Sequence, residues 1–222
     1  MLHFPSSQGC RVSCRFLLEE AGLDVNSESK TGVAPMFFFA ALQGNVQVTG
    51  YFLDHGGDPA MPDERGSTPL HNAAAAGHCE TVRLLLSKGV NLNPIHYQGT
   101  PLHLAAVEDQ DQVVMVLLEH GADTGADVNA RDYSGPTPFT EVVADGLTDF
   151  VKVLLDAGAN PNIPNQHGAI PIELAADSDR HKLVQILFPR TKPIKSLPDW
   201  SVDGIIKTGN SPKINAPPVM QG

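Results

Sequence analysis

The sequence is short of cysteine, basic residues and aromatic side chains, and it has no long apolar run. Its three cysteines, Cys10, Cys14 and Cys79, cannot all pair with one another and are too few for a disulfide framework, which favours a reducing compartment. The longest apolar run, residues 33–42, is half of the roughly 20 residues that a membrane helix needs. Residues 1–20 lack the basic segment followed by an apolar segment that marks a signal peptide. We therefore expect a cytoplasmic protein that does not contact a membrane.

The shortage of positive charge argues against a second class of partner. The chain of 222 residues has 15 Lys and Arg against 25 Asp and Glu, so its formal net charge is -10. A surface of that sign repels phosphate backbones and anionic lipids. We therefore expect no nucleic acid, and a protein partner whose contact surface is basic or neutral. Hydrophobic residues make up 41% of the chain, which is enough to build one or two compact domains.

A four-residue motif recurs along the chain. Its starts are 32, 37 and 33 residues apart, and the four copies lie at residues 68–71, 100–103, 137–140 and 170–173. Pairs of glycines twelve residues apart keep the same phase, namely Gly44 with Gly56, Gly77 with Gly89, and Gly146 with Gly158. Two independent landmarks therefore indicate an internal repeat of about 33 residues.

Each unit is predicted to be a helix, a tight turn, a second helix and a loop. Thr68 can cap the first helix, and Pro69 fits its first turn because the missing N–H is not needed there. Gly77 supplies the backbone angles of the turn between the helices. The second helix is expected over residues 80–87, with one apolar stripe formed by Val82, Leu85 and Leu86.

These features resemble ankyrin repeats, whose Thr-Pro-Leu-His opening is intact at residues 68–71 and 100–103. The resemblance implies an all-α ankyrin-repeat solenoid, in which helix pairs stack and β-turn loops project from one side. The domain boundaries expected from it are an N-terminal extension (1–14), a partial repeat (15–31), five repeats (32–190) and a disordered Pro-rich tail (191–222).

The chain departs from the regular pattern at two places within the array. Residues 36–39, Met-Phe-Phe-Phe, contain an extra Phe, and as part of the first full repeat they predict an exposed apolar edge. We expect self-association at this N-terminal edge unless residues 1–14 fold back over it. Residues 121–123 and 125–127 both read Gly-Ala-Asp, so one connection is too long, either as the remnant of a lost repeat or as a simple loop insertion. The array is predicted to be weakest there.

The tail has a different composition. From residue 190 onward five Lys and Arg stand against two Asp, and prolines interrupt any long helix. Residues 197–206 and 38–45 resemble plant ankyrin proteins that continue into tetratricopeptide repeats. No tetratricopeptide unit follows in this chain, so a function of such a domain would be absent or would lie on another form of the protein.

Few polar residues form a pattern that is typical of a catalytic site or a metal site. His71 and His103 occupy the same repeat position, where the ankyrin resemblance implies hydrogen bonds to the backbone of neighbouring loops. Cys10 and Cys14 have no second Cys or His pair at zinc spacing. No metalloprotease, nucleophile-elbow, P-loop or dinucleotide-binding motif occurs. We therefore expect no metal site, no cofactor and no enzymatic activity.

The candidate binding residues lie at the loop tips. Loop tips and the outward side of the first helices form a concave strip whose side chains are not fixed by packing. Tyr and Arg are frequent anchors of protein interfaces. The predicted partner-binding residues are Glu64, Arg65, His96, Tyr97, Arg131, Tyr133, Gln166 and His167. The predicted function is a protein–protein interaction scaffold or adaptor, and the alternative is a non-catalytic regulatory or targeting subunit of a kinase, phosphatase or ubiquitin ligase.

Overall fold

The computed structural model describes residues 19–20, 22, 24–26, 36–124, 127–133 and 135–209. The N-terminal extension, most of the partial repeat and residues 210–222 of the tail lie outside the described residues. The described chain forms eleven α-helices and one 3₁₀ helix (Phe188–Arg190), with no β-strand among those residues. The helices are α1 (Met36–Leu42), α2 (Val46–Asp54), α3 (Pro69–Ala75), α4 (Cys79–Ser87), α5 (Pro101–Val107), α6 (Asp111–Thr124), α7 (Pro138–Asp145), α8 (Thr148–Asp156), α9 (Pro171–Asp177), α10 (His181–Leu187) and α11 (Val202–Gly209).

The first helix of each unit begins where the capping signals predict. Thr68, Thr100 and Thr137 have extended backbone angles, and a proline at the first helical position follows each of them. In α7 the hydroxyl of Thr137 accepts a hydrogen bond from the N–H of Thr140 at 3.2 Å. Because these signals are local, they set the helix starts without help from the rest of the chain.

The helices form two parallel rows. The inner helices α1, α3, α5, α7 and α9 pack in series, and each outer helix packs on the inner helix of its own unit. Val82 and Leu85 of α4 are fully buried between the layers, as the apolar stripe predicts. One continuous apolar core runs from Val25 to Ile205. The predicted all-α solenoid is confirmed.

The turn between the two helices of a unit needs a left-handed backbone. Gly77 has φ = +76°, so α3 has ended before His78, and His71 and His78 do not share a helix. Asp109 and Asp179 stand at the corresponding places of later units with φ of 56° and 58°. Aspartate tolerates this conformation better than most residues, which explains how these two units turn without glycine.

Asparagine side chains join successive loops. The Oδ1 of Asn129 accepts from the N–H of Asn160 at 2.7 Å, and its Nδ2 donates to the Gly158 carbonyl at 3.3 Å. The same acceptor contact recurs from Asn26 to Asp58, from Asn93 to Asp127 and from Asn162 to Lys192. The second loop carries Ala60 at this position, so this bridge is missing between the second and third loops.

The connection after α6 is expected from the sequence to be a longer loop, but part of it is helical. Helix α6 has 14 residues, against 9 in α4 and in α8, because it continues through residues 121–124. Gly89 and Gly158 end their helices with positive φ, but Gly121 is not among the residues with positive φ. Gly121 therefore stays helical, and part of the extra length is helix. Whether the array is weakest here stays a prediction.

The prediction of a disordered tail is wrong over residues 191–209. The Trp200 ring stacks on Phe188 with centroids 5.4 Å apart, and Ile205 is only 2% exposed. Helix α11 packs on α9 and α10, in series with the inner helices. The prolines pointed to disorder, but the apolar residues between them bury their surface on the end of the stack and order this segment.

The expected exposed apolar edge at α1 is also wrong. Phe37 is 2% exposed, Phe38 is buried and Phe39 is half-buried. Val25, from the partial repeat, belongs to the same core cluster as Phe37, so that preceding segment contributes to covering the edge. The self-association expected at this end therefore lacks the exposed phenylalanines on which it depended.

Candidate protein-interaction surface

Four loop tips precede inner helices, at residues 62–66, 95–99, 131–133 with 135, and 164–168. In the first and fourth tips one Asx side chain holds the turn by accepting two backbone N–H groups. Asp63 Oδ1 accepts from Arg65 at 2.9 Å and from Ser67 at 2.8 Å, and Asn165 Oδ1 accepts from His167 at 2.9 Å and from Ala169 at 3.0 Å. These turns leave the predicted contact residues Glu64, Arg65, Gln166 and His167 exposed.

The second and third tips carry the two exposed tyrosines. Tyr97 is 50% exposed and Tyr133 is 78% exposed. Arg131 is exposed as well, and its Nη1 donates to the Gly135 carbonyl at 3.2 Å. Hydrogen bonds hold the backbone of the turns that carry these side chains, so little backbone freedom remains to be lost when a partner binds.

Neighbouring tips lie close together at two points. A Cβ placed on Gly66 of the first tip would lie 3.9 Å from the His96 Cβ of the second. A Cβ placed on Gly135 of the third tip would lie 3.5 Å from the Gln166 Cβ of the fourth. The structure therefore brings the first tip to the second and the third tip to the fourth, as expected for stacked repeats.

The prediction of His96 as a contact residue is wrong, because its side chain is only 4% exposed. His96 stands where the other tips have Asp63, Asp132 and Asn165, and its Nδ1 accepts from the N–H of Gln98 at 3.3 Å. Its ring centroid lies 4.3 Å from that of Tyr97. His96 therefore holds the turn that positions Tyr97, a role that the repeat alignment of the tips could have suggested.

The motif histidines are buried and neutral. His71 Nδ1 accepts from the N–H of Thr68 at 3.1 Å, so its Nε2 carries the proton and donates to the Gly99 carbonyl at 3.1 Å. Burial lowers the pKa of His71 to about 4. Burial also lowers the pKa of His103, although the nearby Pro136 carbonyl partly opposes this shift. The bond from His71 to the backbone of the next loop confirms the structural role that the resemblance implied.

Sequence reasoning missed specific residues on the open face of the inner helices, which we call the floor. Each inner helix turns its small and apolar residues, such as Ala73 and Ala74, into the core. The positions just after the fourth motif residue, and three residues later, lie on the remaining face of the helix, where Leu104 is 8% exposed and Val107 is 46% exposed. These floor residues are Asn72, Ala75, Leu104, Val107, Glu141, Ala144, Leu174 and Asp177. Their places one and four residues after the fourth motif residue are the signal that locates them.

Glu141 has an unusual electrostatic environment within the floor. Its side chain is half-buried, and burial raises its pKa, with further contributions from the carboxylates of Asp132 and Asp145. No described Lys, Arg or His forms an ion pair with it. A half-buried carboxylate without a compensating cation is energetically unfavourable.

Negative charge collects at the edge of the floor that lies opposite the tips. Here the turns between inner and outer helices carry exposed carboxylates, namely Glu80, Glu108, Asp109, Asp111, Asp145, Asp149, Asp177 and Asp179. Among them, Asp149 is contacted by Lys152 at 3.0 Å and Asp179 by His181 at 2.8 Å. The exposed contact residues of the tips instead comprise one Glu and two Arg, so exposed negative charge is denser at the turn edge than among these contact residues.

Neither a metal cluster nor a membrane-spanning helix occurs in the described part of the chain. Its residues include no group of three or more His, Cys, Asp or Glu side chains placed to hold a metal ion. No helix within the same residues has both the length and the apolar character needed to cross a membrane.

Comparison with known proteins gives a family and several distant relatives. Residues 37–132 match the family model of ankyrin repeats, in 3 copies. The NF-kappa-B p105 subunit of Gallus gallus is 28% identical over 196 residues, which cover 85% of this chain and 19% of the relative. Apoptosis-stimulating of p53 protein 2 of Homo sapiens is 40% identical over 54 residues, covering 24% and 5%. Transient receptor potential cation channel subfamily A member 1 of Homo sapiens is 34% identical over 136 residues, covering 57% and 11%. The chain therefore spans less than a fifth of the length of each of these relatives.

Proposed function

Because this chain is an ankyrin-repeat protein, we propose that it acts as an interaction scaffold or adaptor that binds a partner protein through its tips and floor. Ankyrin repeats mediate protein–protein interaction. The observation that carries the proposal is the exposure of Tyr97 and Tyr133 on tips whose turns are held by hydrogen bonds. Exposed aromatic rings on a rigid support give large contact area at a small entropic cost.

A non-catalytic role fits the way the polar core is used. His71 serves the helix cap and the adjoining loop, and Thr137 serves the cap of α7. These groups stabilise the stack, and we propose that the protein is not itself an enzyme. We also propose that it works in the cytoplasm without nucleic acid, because its net charge of -10 disfavours phosphate contacts.

A second candidate is a regulatory or targeting subunit of a kinase, phosphatase or ubiquitin ligase. The relative that covers 85% of this chain is named as a subunit of a nuclear factor, which favours work within an assembly. Both candidates use the same surface. They differ in whether the captured partner is an enzyme whose activity toward its substrate changes when this chain is added.

The test is affinity capture with the full chain, followed by quantitative identification of bound proteins. The variant is the double substitution Tyr97→Ala and Tyr133→Ala, and the matched control is Met115→Ala, which removes an exposed apolar side chain from the outer helix α6. We expect the double variant to weaken specific binding by about 1 to 4 kcal/mol at unchanged thermal stability. Unchanged affinity at unchanged stability would exclude the tyrosines from the interface.

A further inference from the structure

An exposed apolar spot lies in the middle of the floor. Val107, near the end of α5, is 46% exposed, although Val82, Val113 and Val151 are completely buried. Leu104 lies one helical turn before Val107 on the same helix face, but it is only 8% exposed and supports the spot from below. The adjoining inner helices carry Ala75 and Ala144 at the position of Val107, so small side chains flank the spot and leave it accessible.

The next inner helix places a negative charge beside this spot. Glu141 occupies on α7 the position that Leu104 occupies on α5, and these two helices pack directly against each other. The neighbouring charged groups are carboxylates too, with Asp145 one turn further along α7 and Asp132 on the third tip. Both raise the pKa of Glu141, because each disfavours its ionised form.

We propose that Val107 and Glu141 bind an extended partner segment in which an apolar side chain stands about three residues from a Lys or Arg. The apolar side chain covers Val107, and the cation pairs with Glu141. This inference rests on the proposed function and specifies the partner that the floor accepts.

The spacing follows from the geometry of the two helices. Packed helices lie about 8 to 10 Å apart, and an extended chain advances about 3.3 Å per residue. An apolar residue above α5 and a cation above α7 are therefore about three residues apart in a segment that crosses the inner helices. An acidic segment would meet Glu108, Glu141 and Asp145, and an entirely apolar segment would leave the Glu141 carboxylate uncompensated.

Short synthetic peptides test this directly with the full chain. One series carries Leu and Arg at increasing separations in a Gly/Ser background, and a second series carries Glu in place of Arg. Binding at millimolar peptide is followed by NMR chemical shifts of the backbone amides and of the Glu141 carboxyl carbon. We expect the peptide with Arg three residues after Leu, or three residues before it, to perturb residues 104–108 and 141–145 and to lower the pKa of Glu141.

Variants of Glu141 identify the cation contact. Glu141→Gln should weaken binding of the Leu and Arg peptide about tenfold. The free energy of a charge-assisted hydrogen bond is larger than the free energy that corresponds to a tenfold change in affinity. Glu141→Lys should reverse the preference in favour of the Glu peptide. Glu80→Gln is the matched control, because it neutralises an exposed carboxylate on the outer helix α4. Thermal unfolding of each variant establishes that the fold is intact.

The following outcomes would overturn the inference. Equal binding by Glu141→Gln and the unchanged chain would remove the cation contact, and absence of shifts at residues 104–108 and 141–145 with every peptide would remove the floor site. Shifts at Tyr97 and Tyr133 instead would leave the proposed function standing while this inference fails. Loss of the natural partner in the tyrosine double variant but not in Glu141→Gln would likewise exclude the floor site and retain the tips.

Discussion

The buried rings of His71 and His96 lie with their centroids 5.0 Å apart, although the two residues come from different repeats. His71 joins the cap of α3 to the Gly99 carbonyl, and His96 closes the second tip by accepting the N–H of Gln98. Burial lowers the pKa of both imidazoles. The groups facing His96 are His71 from α3 and Asp63 from the first tip, and protonation of both rings would place two positive charges side by side.

The first prediction concerns the loss of stability at acidic pH. The pKa of His71 is about 4 in the folded chain against an ordinary 6.5, so the unfolded chain binds more protons within this window. The contribution of neutral His71 to the free energy of unfolding is therefore complete above about pH 6.5. It decreases by about 3 kcal/mol as the pH falls toward 4. Urea unfolding at a series of pH values measures this slope.

Two variants identify the histidines that cause the slope of the free energy of unfolding against pH. His71→Asn should flatten it, whereas the control Met115→Ala, which changes an exposed side chain that does not titrate, should leave it unchanged. His96→Asp installs the residue type that closes the first and third tips, so the fold should persist and the slope should decrease. A slope in His71→Asn as steep as in the unchanged chain would contradict this assignment.

The second prediction concerns the bridges between loops. Asn129→Ala removes two hydrogen bonds and should lower the free energy of unfolding by about 1 to 2 kcal/mol. Ala60→Asn should raise it by up to about 1 kcal/mol, because Met61 donates to the Asp58 carbonyl just as Ala130 donates to Asp127, so the local turn is already suitable. Gln112→Ala on the surface of α6 is the control. A destabilised Ala60→Asn variant would show that the second loop cannot form the bridge.

The third prediction concerns a buried hydroxyl. Thr81 is fully buried, and no described residue forms a hydrogen bond with its Oγ1. Val113 occupies the corresponding position of the next unit. Thr81→Val should therefore stabilise the chain by about 1 kcal/mol, and the reciprocal Val113→Thr should destabilise it by about 1 to 3 kcal/mol. Denaturant midpoints of the two variants should move in opposite directions, and a shift of both in the same direction would contradict the packing described here.

The fourth prediction concerns the segment after the last outer helix. Ile205→Ala should lower the free energy of unfolding by about 2 to 5 kcal/mol, because Ile205 is buried where α11 packs on α9 and α10. Lys207→Ala, an exposed change on the same helix, is the control. A loss as small as that of the control would mean that residues 191–209 do not cap the stack.

The tips differ in how much of their structure local sequence patterns predict. The turns at Asp63 and Asn165 follow from side chains that bond their own backbone a few residues away, so their exposed neighbours were predictable. At the second tip the same pattern placed His96 among the exposed residues. Its burial depends on His71, a residue of the preceding repeat that stacking brings beside it.

The sequence by itself determined the repeat period, the helix starts at Thr68 and Thr100 and the all-α class, because caps, prolines and apolar stripes act over a few residues. Tertiary structure decided the burial of His96, the half-buried charge of Glu141 and the docking of Ile205. Those properties depend on which surfaces meet, and repeats that bury their faces only against one another acquire them only when they stack.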